Sequence, residues 1–181
     1  GGGKTTAADL FRRELGEQIV LVPEAATILY TGGFPRSQEV DVRKASQRAI
    51  YQVQRNLEDA QSAKFGERIL VCDRGTVDGA AYWPGDSSEF FCHLNTSLTE
   101  ELSRYDVVIF FETAAVGGIS IEGGNPIRNE TLEQAIALDR KLKGLWSQHE
   151  EFVFINHDAS FMKKINLALS YLLSAVQRLK R

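Results

Sequence analysis

Short apolar runs recur along this chain, and longer amphipathic stretches separate them. The runs are rich in Val, Ile and Phe and lie at residues 19–22, 68–72, 106–111 and 152–155. Strands that are buried on both faces of a parallel sheet have this composition, because helices cover both faces. Apolar residues at helical spacing fill the longer stretches, at residues 5–15, 40–63, 87–105, 130–146 and 161–179. The alternation predicts an α/β fold with a parallel sheet between two layers of helices.

The chain opens with a glycine-rich hexapeptide, GGGKTT. It matches the second half of the phosphate-binding loop G-x-x-x-x-G-K-[ST]. Glycines let backbone N–H groups approach phosphate oxygens, and the helix that follows adds positive potential at its N-terminus. We expect Lys4 to contact the β- and γ-phosphates of ATP (or GTP) and Thr5 to hold Mg²⁺. The predicted nucleotide-binding residues of this segment are Gly1, Gly2, Gly3, Lys4, Thr5 and Thr6.

A glycine linker ahead of an ordinary helix is the other interpretation of this hexapeptide. In the complete phosphate-binding motif, a β-strand and a further glycine come before the residues that are present here. We therefore expect the natural chain to extend upstream of Gly1, with a strand that is central in a five-stranded parallel sheet. The predicted fold is a single three-layer phosphate-loop domain over residues 1–181, with its first strand missing from this sequence.

Acidic residues follow three of the apolar runs, at Glu24, Asp73 and Glu112. In open parallel sheets, ligands bind at the carboxyl ends of the strands. Asp73 follows the run ILVC, as the magnesium-binding acid does in phosphate-loop enzymes, and it is predicted to bind the metal. A helix cap or a turn is the alternative position for Asp73. Arg74 is predicted to contact a phosphate or the substrate, and its alternative is a surface ion pair.

Three longer segments carry a resemblance to a known family. They are VPEAATILYTGGFPR, DRGTVDGAAYW and ETAAVGGISIEGGNPIRNE. Together they resemble the AAA-domain-like NTPase/kinase family, which is related to the kinase domain of the bifunctional ribosylnicotinamide kinases. The resemblance covers essentially the whole chain. It implies a phosphate-loop NTPase fold like that of nucleoside and nucleotide kinases.

A second resemblance is local. Asp73-Arg74 followed by Ala81-Tyr82 is similar to the D-R-x-x-x-x-x-x-A-Y pattern of thymidylate kinases, at the same spacing. The T-R-E-P-G-G-T signature of thymidylate kinases is absent, and Asp78 stands where a serine is usual. These departures argue against thymidine monophosphate as the substrate and leave the kinase-like architecture in place.

The resemblance implies roles for residues on the acceptor side of the reaction. Glu24 takes the place of the acid that acts as base on the acceptor hydroxyl, or orients it, in nucleoside kinases. The implied substrate-binding residues are Glu24, Arg36, Arg74 and Tyr82, with Tyr82 stacking on a ring of the acceptor. The alternatives are a structural ion pair between Glu24 and Arg36 or Arg74, and a core position for Tyr82.

On the donor side, residues 115–129 resemble the lid that closes over the donor phosphates in these kinases. Arg128 is the arginine of this lid, and its planar guanidinium suits phosphate oxygens. Arg140 is a second candidate for the donor phosphates. His157 follows the last strand, where related folds contact the donor base. For each of these three residues, an exposed position without a ligand is the alternative.

The sequence therefore favours a kinase that transfers a phosphoryl group from ATP·Mg²⁺ to a small nucleoside-like or other small-molecule acceptor. The predicted catalytic residues are Lys4, Glu24, Asp73 and Arg128. The alternative is a nucleotide-dependent switch or adaptor that hydrolyses ATP or GTP slowly and has no small-molecule acceptor. A non-catalytic interaction domain that keeps the fold is a third interpretation.

Charge and hydropathy narrow the range of partners. The net charge of −3 argues against a broad nucleic-acid-binding surface. No apolar run approaches the roughly 20 residues that are needed to span a bilayer. Cys72 and Cys92 lie in apolar surroundings without metal-ligand spacing, so we expect both to be buried free thiols. These features favour a cytoplasmic location, and they give no indication of the oligomeric state.

Overall fold

The computed structural model of the chain describes residues 4–113, 132–157 and 160–179. These residues group into two compact units. The N-terminal unit is Arg12–Arg104, and the C-terminal unit combines Gly1–Phe11 with Tyr105–Arg181. Helix α1 (Lys4–Leu15) contributes residues to both units and buries Ala7, Phe11 and Leu15 at helical spacing. A single domain over residues 1–181 stays a prediction.

The N-terminal unit contains a pair of parallel strands and five helices among the described residues. After a single 3-10 turn (Gly16–Gln18) its elements are β1 (Ile19–Val22), α2 (Ala25–Thr31), α3 (Val40–Lys64), β2 (Ile69–Cys72), α4 (Asp78–Tyr82), α5 (Ser87–Leu94) and α6 (Leu98–Leu102). Ile19 lies opposite Ile69, and Val22 lies opposite Cys72. Parallel pairing needs a crossover connection, which α2 and α3 provide.

The core of this unit contains an aromatic cluster around Phe90. The Phe90 ring lies edge-on to Tyr51, Trp83 and Phe91, with ring centroids 5.9, 5.5 and 5.3 Å away. Gly79 of α4 allows this packing, because a Cβ at residue 79 would lie 2.5 Å from Cζ of Phe90. Phe90 is fully buried, so its ring has no free space into which it can move. Helix α4 is therefore held against α5 at a fixed distance.

The prediction of one helix over residues 87–105 is wrong, because the chain forms α5 and α6 with a break between them. Asn95 ends α5 in the left-handed conformation, with φ 55°. Asparagine tolerates this conformation better than most residues. Ser97 then starts α6, since its hydroxyl accepts a hydrogen bond from the Glu100 N–H group. The polar stretch between the helices is thus a helix end followed by a helix start.

The C-terminal unit has the same basic plan. Its other elements are β3 (Val108–Phe111), α7 (Leu132–Trp146), β4 (Phe152–Ile155) and α8 (Phe161–Leu179). Strands β3 and β4 are parallel, with Phe111 opposite Ile155. Helix α7 packs against β3, and α8 packs against β4. Helix α8 has the predicted bounds.

The parallel α/β pattern that the sequence predicts is confirmed for both units. The strands of the described residues form two two-stranded sheets, β1–β2 and β3–β4. The five-stranded sheet stays a prediction. Both cysteines are free thiols, as expected, but the expectation that both are buried is wrong, because Cys72 is half-buried and Cys92 is exposed on α5. Within the described ranges, no helix is long and apolar enough to cross a membrane.

Candidate functional site

The carboxyl edge of the β1–β2 sheet brings predicted site residues together. Because Val22 lies opposite Cys72, the chain leaves both strands at the same edge. The Asp73 N–H group donates to the Val22 carbonyl oxygen at 3.1 Å and extends the pairing by one residue. Glu24 and Arg74 therefore follow the two strand ends side by side. Helix α2 begins after Glu24, and α4 begins four residues after Arg74.

The Arg74 guanidinium lies between two carboxylates at this edge. Its Nη1 is 3.0 Å from Oδ2 of Asp78, and its Nε is 3.5 Å from Oε1 of Glu24. The side chain of Arg74 is 13% exposed, that of Asp78 is 14% exposed and that of Glu24 is 29% exposed. The hydroxyl of Thr27 donates to the second Glu24 oxygen at 2.7 Å. We call Glu24, Arg74 and Asp78 the acidic–guanidinium cluster.

The charge state of Arg74 follows from its surroundings. Burial disfavours the charged guanidinium, but the carboxylates around it, Asp78 first and then Glu24 and Asp73, outweigh this effect. The pKa of Arg74 is therefore held above its ordinary value. The alternative of an ion pair between Glu24 and Arg74 is confirmed, although the pair is largely buried and lies off the surface. The role of Arg74 toward a phosphate or the substrate stays a prediction.

The other residues predicted on the acceptor side lie in the same unit. Tyr82 is half-buried at the end of α4, and its carbonyl oxygen accepts from Nη2 of Arg43 at 2.9 Å. Arg36 is exposed and lies over the ring of Tyr30, 3.9 Å from its centroid. Asp73 is half-buried directly after β2. Their roles toward a ligand stay predictions.

Polar side chains of helix α3 form hydrogen bonds to the backbone at this edge of the sheet and to each other. Gln54 is 1% exposed, and its Oε1 accepts from the Ala25 N–H group at 3.3 Å. Its Nε2 donates to Oε1 of Glu58 at 3.0 Å. Glu58 in turn pairs with Arg104, whose Nη2 is 3.0 Å from Oε2 of Glu58. The buried acid is thus hydrogen-bonded on one oxygen and ion-paired on the other.

A second buried acid extends the polar network. Glu101 is 1% exposed, and its Oε1 accepts from the hydroxyl groups of Tyr51 and Thr96 at 2.7 and 2.8 Å. Burial and the hydrogen bond to Glu101 raise the pKa of Tyr51. The Arg104 Nε lies 3.9 Å from Oε2 of Glu101, so Arg104 forms ion pairs with both buried acids, Glu58 and Glu101. Sequence reasoning missed this network.

One signal in the sequence points to that network. The buried stripe of α3 contains Gln47, Tyr51, Gln54 and Glu58, which recur at helical spacing and are polar or hold a hydroxyl. A buried polar side chain needs a hydrogen-bond partner. A polar stripe on the inner face of a helix therefore indicates partners elsewhere in the chain, although it does not name them.

The carboxyl edge of the β3–β4 sheet uses its acid differently. The Glu112 carboxylate accepts from the His157 N–H group at 2.7 Å. The Glu112 carbonyl oxygen accepts from Nζ of Lys164 at 3.2 Å, and Lys164 is only 5% exposed. Nδ1 of His157 is buried and has no hydrogen-bond partner among the described residues. Arg140 is exposed on α7.

Several predicted donor residues lie outside the described residues. These are Gly1, Gly2, Gly3 and Arg128, together with the lid segment at residues 115–129. Lys4, Thr5 and Thr6 lie in α1, and their side chains are outside the described part of the chain. Among the side chains that are described, no three His, Cys, Asp or Glu residues form a group that could hold a metal ion.

A GKT sequence leading into a helix, followed by parallel strands that end in acids, defines a nucleotide-binding protein of the phosphate-loop class. A family model described as an AAA domain matches residues 1–162. The chain therefore belongs to this AAA-domain family, and it is a nucleotide-binding phosphate-loop protein. A comparison with curated proteins found no match.

Proposed function

We propose that this protein is an enzyme that transfers the γ-phosphoryl group of ATP to a hydroxyl group of a small, nucleoside-like acceptor. Membership of the AAA-domain family supports the nucleotide-binding half of the proposal. The acidic–guanidinium cluster supports the part of the proposal that concerns the acceptor, because it contains a carboxylate with fixed orientation at the carboxyl end of a parallel strand.

The donor side rests on the phosphate-loop residues and their chemistry. Backbone N–H groups of residues 1–6 bind the phosphates, and Lys4 contacts the β- and γ-phosphates. Mg²⁺ that arrives with a nucleotide needs only one or two protein oxygens, which suits Thr5 and Asp73. When it is bound, this ion neutralises charge on the phosphates. In this proposal Arg128 and Arg140 contact the donor phosphates, and His157 contacts the donor base.

Glu24 is the proposed base. Arg74 and Thr27 each bind one oxygen of its carboxylate, so its position is set before an acceptor arrives. As the acceptor oxygen bonds to the γ-phosphorus, its proton passes to Glu24. The bond from that phosphorus to the bridging oxygen breaks, and ADP leaves with the electron pair. Phosphoryl transfer depends on positioning more than on proton removal, so a carboxylate is a sufficient base.

The charge of the cluster favours an acceptor without a phosphate group. Glu24 and Asp78 supply two carboxylates and Arg74 supplies one guanidinium, which leaves the cluster with a formal charge of −1. Arg74 already pairs with two carboxylates, so a third anion would have to displace one of them. Both effects oppose a monophosphate and permit a neutral or cationic acceptor. Tyr82 and Arg36 are the remaining proposed contacts to the acceptor.

Acceptor-stimulated release of ADP from ATP·Mg²⁺ tests this proposal. We expect members of a panel of nucleosides to raise the rate and the matching monophosphates to have little effect. D78S frees one edge of Arg74 and shifts the preference toward monophosphates. D86S is the matched control, since Asp86 lies outside the cluster at the start of α5. We expect D86S to keep the wild-type preference for nucleosides over monophosphates.

Two results would contradict the kinase proposal. If no acceptor changes the rate and Lys4→Ala abolishes nucleotide binding, the protein is a nucleotide-dependent switch. If monophosphates stimulate the wild-type protein as strongly as nucleosides, the charge argument for the acceptor is wrong.

A further inference from the structure

Helix α2 begins at the carboxyl edge of β1, and its first residues need hydrogen-bond acceptors. The residue before the helix, Glu24, has the backbone conformation of an N-cap, with φ −65° and ψ 115°, but its side chain makes no capping hydrogen bond. The Ala25 N–H group is buried, and a buried N–H group without a partner destabilises a fold. The acceptor for Ala25 comes from α3 instead.

We propose that Gln54 is a positioning residue for Glu24, because it caps α2 and leaves the Glu24 carboxylate free to pair with Arg74. The inference rests on the proposed function, in which that carboxylate orients the acceptor. Gln54 Oε1 accepts from Ala25 N at 3.3 Å, across 29 residues of sequence. Glu24 Oε1 meanwhile faces Arg74 Nε at 3.5 Å.

The orientation of the Gln54 amide is fixed by Glu58. An ionised carboxylate only accepts hydrogen bonds, so the amide must present its NH₂ group to Glu58 and its oxygen to Ala25. The Arg104 guanidinium contacts the other Glu58 oxygen, Oε2, at 3.0 Å, so Oε1 is the oxygen that faces Gln54. The Arg104–Glu58–Gln54 sequence of contacts therefore selects one of the two amide orientations, and only that orientation caps α2.

The same pair of side chains also reaches the second strand end. Burial raises the pKa of Cys72, and so do the charge of Glu58 and a hydrogen bond to it; Cys72 lies directly before Asp73 and Arg74. Gln54 thus holds the residue after Glu24, and Glu58 holds the residue before Asp73. One turn of α3 fixes both sides of the acidic–guanidinium cluster, so the distance between Glu24 and Arg74 depends on it.

Removal of the cap is tested with Q54L, which leaves the Ala25 N–H group without its acceptor. The adjacent Glu24 carboxylate then turns toward the helix end, and Arg74 loses one of its two partners. We expect faster amide exchange at Ala25, a changed ¹³C chemical shift of the Glu24 carboxylate, and acceptor-dependent turnover that is about 10- to 100-fold lower. ATP affinity stays unchanged. Q52L is the matched control, because Gln52 is an exposed glutamine on the same helix.

The exchanged pair Q54E/E58Q keeps the hydrogen bonds that run from Ala25 through residues 54 and 58 to Arg104, and it replaces the Glu58–Arg104 ion pair by a hydrogen bond to a neutral amide. Glutamate at residue 54 accepts from Ala25, and glutamine at residue 58 donates to residue 54 and accepts from Arg104. The single variant Q54E instead places two acids side by side. We expect the double variant to restore amide protection, the ¹³C chemical shift of the Glu24 carboxylate and turnover relative to Q54E. This comparison decides the question even if Q54L does not fold.

Three results would overturn the positioning role. They are an unchanged ¹³C chemical shift of the Glu24 carboxylate in Q54L, equal effects of Q54L and Q52L, and a double variant no better than Q54E. The amide-exchange and chemical-shift measurements need no substrate. If the wild-type protein shows no acceptor-dependent turnover, the proposed function fails while these two measurements still decide whether Gln54 positions Glu24.

Discussion

The two parallel strand pairs end in acids at equivalent places but use them in different ways. At the end of β1, the Glu24 carboxylate pairs with the side chains of Arg74 and Thr27. At the end of β3, the Glu112 carboxylate accepts from the backbone N–H group of His157. The position of an acid after a strand therefore does not define its role. The partner does, since side-chain partners can exchange for a ligand more easily than a backbone group can.

The largest expected difference between the two edges is in turnover. E24Q removes the proposed base and lowers acceptor-dependent turnover by about 10²- to 10³-fold. E112Q keeps an oxygen that accepts from His157 and leaves turnover within about threefold of wild type. Both changes replace a carboxylate with an amide of the same shape, so each controls for the other. Steady-state rates of ADP release measure the effect. Equal losses in both variants would show that the two edges do not differ in this way.

The next difference is in stability. R74L leaves the carboxylates of Glu24 and Asp78 partly buried without their guanidinium, so we expect a loss of about 3 kcal/mol in the free energy of unfolding. K164M removes one hydrogen bond to a carbonyl oxygen at the other edge and costs about 1 kcal/mol. Urea unfolding measures both. The double variant R74L/D78L recovers part of the loss, because it removes one of the unpaired acids. A loss in K164M as large as in R74L would contradict the comparison.

The smallest expected effect concerns a third acid, Asp86, which bonds to the backbone as Glu112 does. The Ser88 N–H group donates to its carboxylate at the start of α5 and lowers the pKa of Asp86 below its ordinary value of 3.8. An acid whose pKa is lowered by folding stabilises the folded state at pH values above its ordinary pKa. This contribution disappears as the pH falls through the folded-state pKa. Between about pH 5 and pH 2 the wild-type protein should therefore lose more stability than D86N.

Thermal unfolding at several pH values measures this effect. Asparagine caps a helix as well as aspartate does but has no charge to lose. Identical pH dependence in wild type and D86N would show that the backbone bond does not stabilise the charged form of Asp86.

The local sequence predicted the strands and the longest helices, because their apolar residues recur at a fixed spacing. Strands β1 and β4 and helix α8 have the predicted bounds, and α3 ends one residue later than predicted. The break at Asn95 was missed, since one left-handed residue interrupts an otherwise helical pattern. Helices α2 and α4 are too short for periodicity to reveal.

Some residues of the candidate site could also be predicted from the local sequence, and others could not. Glu24, Asp73 and Arg74 were predictable because each lies within two residues of the end of an apolar run. Gln54 and Glu58 were not predictable, because their contacts depend on how α3 packs against the strand ends. Gln54, for example, lies 29 residues after Ala25, the residue whose N–H group it binds. Contacts between residues far apart in sequence are decided by packing, and the local pattern does not contain that information.

The close contact between Gly79 and Phe90 restricts how this sequence can change over many generations. Any side chain at residue 79 would meet the Phe90 ring, so residue 90 must become smaller first, at the cost of a cavity among Tyr51, Trp83 and Phe91. In the proposed function, residues 78 and 82 of the same short helix contact the acceptor side, and each can be exchanged alone. On that proposal, descendants of this protein acquire new substrates through Asp78 while Gly79 stays invariant beside it.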